Sequence, residues 1–368
     1  LKMIAYYLPQ FHQIPENDKW WGEGFTEWTN TRKAVPLFKG HNQPREPLND
    51  YYYDLTNPEV RKWQADIAKQ HGVYGFCYYH YWFKGKKLLE RPLEDVLLTG
   101  EPEFPFCLSW ANHDWIKRNP KGKNQILIPQ VYGEENDWKE HFYYLLKAFL
   151  DKRYIYKNNK PIFLIHFPGQ IPNCSKMLSY WNKLAKENGL DGIYFVETMS
   201  GQPITNINGF DARVKFEPMY TLSHGLRATT NVKALLQGRK KVFKRLSNKN
   251  IRMRIFDYDM VWRDILEHTI EEKNWDKPIF PGAFIDWDNT ARRRLTNSIV
   301  FEGASPEKFG NYLKKLIQLN VGNEFLFINA WNEWGEGTYL EPDKKNKYQY
   351  LEQIKKLTQC INSTFCDF

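Results

Sequence analysis

Glu333 and Glu336 stand three residues apart, beside two indoles, in the run Asn329-Ala-Trp-Asn-Glu-Trp-Gly-Glu-Gly337. In a helical turn two carboxylates at that spacing are near neighbours. Paired carboxylates carry glycosyl chemistry: one protonates the leaving oxygen while the other works near the anomeric centre. Apolar surroundings raise the pKa of a carboxyl group, so one of the pair can keep its proton near neutrality. The indoles of Trp331 and Trp334 offer flat faces of the kind on which sugar rings stack. Gly335 and Gly337 stand where a tight turn needs them. The blander reading, a surface turn with solvated glutamates, is weakened by these flanks. Close spacing favours a retaining outcome if both glutamates act.

The elements that must position this pair follow from hydropathy. Phe325–Ile328 is a continuous apolar run of the length of a strand buried on both faces. Similar runs recur at Ile4–Leu8, Gly72–Tyr79, Phe104–Trp110, Pro161–Phe167, Gly192–Glu197, Ala212–Glu217 and Pro278–Ile285. Helical periodicity falls between most of them, at Pro58–Gln70, Leu88–Leu98, Trp138–Leu150, Ser175–Asn188, Val261–Glu272 and Pro306–Leu319, with a closing helix at Tyr348–Ile361. About eight strands alternating with helices predict an α/β fold, a single-domain (β/α)8 TIM barrel whose active site is built at the C-terminal ends of the strands. A basic stretch at 226–256 interrupts the rhythm after the sixth strand and reads as an insertion. It is either a solvated helical excursion or a contact for an anionic partner, including peripheral contact with a membrane surface.

A barrel would bring the polar and aromatic residues at its strand ends to one face. The expected sugar-binding set is Tyr7, Gln10, His12, Trp28, Tyr79, Tyr81, Trp110, Asn112, His166, Glu197, Glu217, Trp287, Asp288, Asn332 and Trp334. Glu197 and Glu217 could equally pair with Arg or Lys across the barrel top. Trp287, flanked by Asp286 and Asp288, reads as cleft lining rather than core. The loop holding Gln10 to Trp28 is long and aromatic enough to form a cleft wall. His12, His80, His113 and His166 lack metal-ligand spacing and read as hydrogen-bonded structural residues, so neither metal nor other cofactor is expected. No GxSxG elbow supports Ser-His-Asp catalysis.

Composition narrows the classes. With 42% hydrophobic residues in 368, the chain can bury a large core, and 14 Trp with 22 Tyr suit a carbohydrate cleft. A net charge of +9 favours anionic neighbours, but no nucleic-acid-binding motif or Walker loop accompanies it. Five cysteines without a CxxC pair fit a reducing compartment. No run approaches the ~18–20 apolar residues of a membrane helix, and no signal peptide opens the chain. Met3 directly precedes the first strand; a chain starting there would be made and kept in the cytoplasm.

The motifs Ala5-Tyr-Tyr-Leu-Pro-Gln-Phe-His12, Trp20-Trp-Gly-Glu-Gly-Phe-Thr-Glu-Trp28, Gly75-Phe-Cys-Tyr-Tyr-His-Tyr-Trp82, Trp287-Asp-Asn-Thr-Ala-Arg292 and Asn329–Gly337 closely resemble the WbsX-type, glycoside-hydrolase-family-99-like proteins. The motifs run from the N-terminal strand to the last. The resemblance implies a (β/α)8 barrel tied to bacterial surface-polysaccharide loci such as O-antigen, in a group often labelled glycosyltransferases by genomic position. Family 99 contains retaining endo-α-mannosidases that work without metal through a 1,2-anhydro sugar. Carried over, Glu333 would be the base toward the 2-hydroxyl and Glu336 the acid/base. The chain departs from the pattern at Gly335, where family 99 carries His, and at His113, where WbsX-like relatives commonly carry Glu. These residues lead us to expect a retaining glycoside hydrolase acting on an α-linked oligosaccharide or polysaccharide. The alternatives are a glycosyltransferase using a lipid- or nucleotide-linked donor, and a non-catalytic glycan-binding barrel.

Overall fold

The computed structural model describes residues 1–117, 123–225, 253–272, 275–293 and 297–362. Eight parallel strand positions form the barrel: Lys2–Tyr7, Gly75–Phe83, Phe106–Trp110, Lys160–Ile165, Tyr194–Met199, Ala212–Lys215, a divided seventh strand, and Phe325–Asn329. The seventh consists of Ile279–Phe280, paired with the sixth strand, and Gly282–Phe284, paired with the eighth. Pro281 separates the two pieces because it has no N–H for the ladder. Its carbonyl still accepts from Phe327 N at 3.0 Å, and the first and eighth strands pair from Lys2–Phe325 to Ala5–Ile328. The ring therefore closes as the alternation predicts.

The helices fall near their expected places. Pro58–Gln70 and Pro306–Leu319 match to the residue: Asn57 caps the first through Glu59 N, Ser305 caps the second through Lys308 N, and each has proline at its first position. Inward faces carry large side chains. Trp181 and Trp262 are fully buried, and truncating either to alanine would cost roughly 3–5 kcal/mol.

Three departures bear on the site. The second strand does not end at Tyr79 but runs to Phe83 and folds into a hairpin with Lys86–Leu88. His80, Tyr81 and Trp82 are therefore strand residues that alternate between the barrel's two sides. The loop after the first strand holds two short helices, Pro15–Trp21 and Glu27–Lys33. Of the expected basic insertion, residues 226–252 lie outside the described residues. Its end, Arg254–Asp257, is a strand paired in parallel with Ile299–Glu302, and Arg254 reaches the cleft.

Candidate active site

The last strand delivers the glutamates through a tight hairpin. Asn332–Glu333 pairs antiparallel with Thr338–Tyr339, and Trp334–Glu336 forms a single 3-10 turn closed by Gly337 at φ 66°. A Cβ on Gly337 would meet the Asp288 backbone at 2.9 Å, so glycine serves here both the left-handed turn and a close approach. The hairpin is fastened on every side. Asn332 Oδ1 accepts from Leu8 N at 2.7 Å and its Nδ2 donates to Leu8 O at 3.0 Å. Trp334 Nε1 donates to Glu341 at 2.6 Å, and its ring stacks on Tyr339 at 3.8 Å. Asp288 N donates to the carbonyl of Glu336 at 2.8 Å.

One guanidinium collects the carboxylates. Arg292, on the short helix Thr290–Arg293, donates from Nε to Glu27 Oε1 at 2.7 Å and from Nη2 to Glu333 Oε2 at 2.9 Å, while Nη1 lies 2.9 Å from Glu336 Oε1. Glu333 and Glu336 therefore sit side by side on neighbouring nitrogens. Burial pushes the Glu333 carboxyl well above its ordinary range; Arg292 pulls it back, and the negative charges of Glu336 and Glu27 push it further up. A carboxyl so placed exchanges its proton near neutral pH, as a general acid or base requires.

The pair opens into a cleft of about 580 Å³ at the C-terminal face of the barrel. Among the expected residues Gln10, Tyr79, Tyr81, His166, Trp287, Glu333 and Glu336 line it, together with Trp115, Phe167, Phe216, Arg254 and Arg293. Tyr6 lies within the barrel, packed against Tyr79, Phe216 and Phe327. Burial, with His113 nearby, holds His166 down to about 3, so it meets the cleft as a neutral ring.

The remaining expected residues lie around the cleft rather than in it. Tyr7 points outward and donates to Gln64 at 2.7 Å. Trp110 also points outward, among Tyr132, His141 and Trp181. His12 is buried beneath the loop. Trp28 packs on Trp334 and donates to Tyr53 O, so the Trp334 indole braces the turn from behind and does not line the cleft. Asn112 clamps the backbone of Phe167, accepting at 2.8 Å and donating at 2.9 Å. Glu197 takes the ion-pair alternative, with Arg213 Nε at 3.2 Å and Thr205 Oγ1 at 2.6 Å. It borders a smaller hollow of about 260 Å³ that adjoins the cleft through His166 and Phe167. Glu217 accepts from Thr221 Oγ1 and is pushed up to about 7 by burial. Asp288 faces His41 at 2.7 Å, with Gln43 and Thr290. Of the other histidines, His80 pairs with His141 at 2.8 Å in the core, and His113 lines the cleft.

Sequence reasoning passed over Glu27 and Arg292 as site residues. Both stand inside singled-out motifs, and Glu27 is the one acid adjoining Trp28. Their partners are 41 to 265 positions away along the chain, a separation that no local pattern reveals.

Comparison with known proteins agrees with this fold. Residues 3–354 match the model of the family described as glycosyltransferase WbsX. The uncharacterized protein WxcX of Xanthomonas campestris pv. campestris strain B100 is 33% identical over 360 residues, covering 96% of this chain but 49% of the relative; the protein of strain ATCC 33913 is similar to the same extent. The chain thus spans about half the length of these relatives. Among solved structures, a GH99 endo-alpha-mannosidase from Bacteroides thetaiotaomicron shares the fold with a TM-score of 0.55 at 14% identity, over 97% of this chain and 96% of that one. A glycoside hydrolase-like protein shares it at 0.62 and 11%, over 96% and 93%. A family model spanning nearly every strand of the barrel settles the assignment: this chain belongs to the WbsX glycosyltransferase family.

Proposed function

We propose that the chain is a retaining glycoside hydrolase that cleaves an α-linked oligosaccharide connected with bacterial surface polysaccharide, acting in the cytoplasm. The observation that carries this reading is the pair Glu333 and Glu336, adjacent on one guanidinium at the end of the eighth strand and open to an aromatic cleft. Adjacent carboxylates suit the retaining geometry, which leaves no room for the attacking water that an inverting enzyme places between its two carboxyl groups. Burial raises the proton affinity of Glu333, so its ionised form is a strong base toward a sugar hydroxyl once the proton held by the cluster has passed to Glu336. Glu336, more open to the cleft, would protonate the leaving oxygen and then activate water, with the 1,2-anhydro sugar between the two steps. Tyr79, Tyr81 and Trp287 would face the sugar, and Gln10 and His166 would supply polar contacts.

The family's description favours a second reading, glycosyl transfer from a lipid- or nucleotide-linked donor. The same two glutamates would serve it. Purified protein incubated with α-linked aryl glycosides and bacterial oligosaccharides, with and without nucleotide sugars, separates the two by mass spectrometry. Product release without a nucleotide sugar, lost by about 10²–10⁴-fold in Glu333→Gln and Glu336→Gln, supports hydrolysis. Chain extension strictly dependent on an activated donor overturns it. Glycan binding with no turnover, unchanged in both variants, leaves only a binding protein.

A further inference from the structure

The residue between the two glutamates carries no side chain, and its surroundings show what takes that space. A Cβ on Gly335 would lie 1.8 Å from Glu27 Oε1 and 2.8 Å from Arg292 Nε. The Glu27–Arg292 pair therefore packs directly against the backbone of the Trp334–Glu336 turn. Glu27 opens the helix Glu27–Lys33, its own N–H donates to Gln10 O at 3.0 Å, and its residue is 2% exposed. It borders the reactive pair without lining the cleft.

The charges at this junction do not balance. Three carboxylates meet one guanidinium, with Glu27 and Glu333 buried and Arg292 and Glu336 half-buried at the edge of the cleft. The other titratable groups acting on Glu333 and Glu336 from packed elements are Tyr79 and Tyr81 of the second strand, both with raised pKa values and neutral at pH 7. Arg254, Arg293, His113, Asp114 and His166 line the same cleft. Like charges crowded in a poorly solvated site cannot all ionise, so the first proton is held tightly. Arg292 alone would be outnumbered two to one by Glu333 and Glu336; Glu27 makes it three to one.

We propose that Glu27 and Arg292 are a positioning pair: Arg292 holds Glu333 and Glu336 side by side, Glu27 fixes the guanidinium through Nε, and the cluster of four keeps one proton at neutral pH that isolated carboxyls would release. Only the catalytic use of that proton rests on the hydrolase reading. Glu27 acts through Arg292 and through its charge, and touches no reacting atom.

The test needs no substrate. Intact protein carrying ¹³C at the glutamate carboxyl carbons is titrated by NMR as wild type, Glu333→Gln, Glu27→Gln and Arg292→Lys, with circular dichroism to check folding. One carboxyl, missing in Glu333→Gln, should titrate well above the ordinary range. In Glu27→Gln, which removes a negative neighbour and keeps the shape, that midpoint should fall by about one pH unit, a tenfold loss of proton affinity. An ordinary midpoint in wild type, or one unmoved in Glu27→Gln, overturns the proposal. Should Glu27→Gln not fold, Arg292→Lys decides: loss of the fork should move the Glu333 and Glu336 signals together, and signals left in place overturn it. Failure of the glycosidase assay leaves these titrations standing, and failure of the titrations leaves the glycosidase reading standing.

Discussion

Two arginine-centred carboxylate clusters meet at the end of the barrel; Asp288 in one and Glu333 in the other shift in opposite directions, while burial raises Asp286 despite its bond from Arg45. In one, Arg45 bonds Asp286 at 2.8 Å and lies 3.9 Å from Asp288, whose oxygens also face His41, Gln43 and Thr290. Burial pushes Asp288 up, but the bond from His41, the charge of Arg45 and the Thr290 hydroxyl outweigh it and hold the group below its ordinary value. In the other, Arg292 serves three carboxylates, and burial with crowding holds Glu333 above its ordinary value. The first cluster is closed, and it fastens the backbone that bonds Glu336. The second has negative charge to spare and opens on the cleft. Under the proposed chemistry, reactivity would follow from the surplus and not from residue type.

Removing each cation should separate the two most widely. Arg292→Met leaves three crowded carboxylates without a counter-charge and should cost about 3–5 kcal/mol at pH 8, less at pH 5 where the carboxyls take up protons. Arg45→Met leaves Asp288 its bonds from His41, Gln43 and Thr290 and leaves Asp286 only the bond from Trp287 N, so two carboxylates rather than three lose a counter-charge and the cost at pH 8 should be smaller. Urea unfolding of both variants at the two pH values measures this. Equal losses with no pH dependence would erase the distinction.

Glu341 sharpens the comparison because it has donors but, among the described residues, no ion-paired cation. Trp334, Gln64 and Tyr53 donate to it, yet burial outweighs them and raises it from 4.5 to about 7. Between those values the folded state binds more protons than the unfolded one, so stability falls as pH rises through the window. The full shift corresponds to roughly 3 kcal/mol. Glu341→Gln should flatten the decline between pH 5 and pH 8 in chemical unfolding; an unchanged slope would show that the three donors suffice.

Gly335→Ala should have the smallest effect. Its methyl group must displace the Glu27 carboxylate, a side-chain end but a buried one held by Arg292. A cost of about 1–3 kcal/mol is expected, with the Glu333 titration midpoint falling as Glu27 moves away. Wild-type stability and an unmoved midpoint would mean that Glu27 is freely displaced.

The barrel was legible because burial repeats locally: each apolar run and each helical stripe announces itself within a few residues. The paired glutamates were legible for the same reason. Which side a strand residue faces was harder. Tyr6 and Tyr7 are alike in the sequence, yet Tyr6 packs inside against Tyr79 and Tyr7 bonds Gln64 on a helix. Trp110 and His166 look equally placed at strand ends, but one packs among helix side chains and the other lines the cleft. Strand period fixes alternation but not its phase. The partners of Arg292 were the least legible, since they come from both ends of the chain and only closure of the ring brings them together.

That closure has a consequence for the order in which the protein is made. Asn332 grips the backbone of Leu8 across 324 residues, and Trp331 N donates to Tyr6 O at 2.7 Å. On the ribosome the first strand must wait with its edge unpaired until the eighth emerges, and the reactive turn follows directly behind that strand. A nascent chain stopped short of this turn could hold most of its barrel and none of its chemistry. Under the proposed chemistry, competence would arrive in one late step, when the last strand docks against the first.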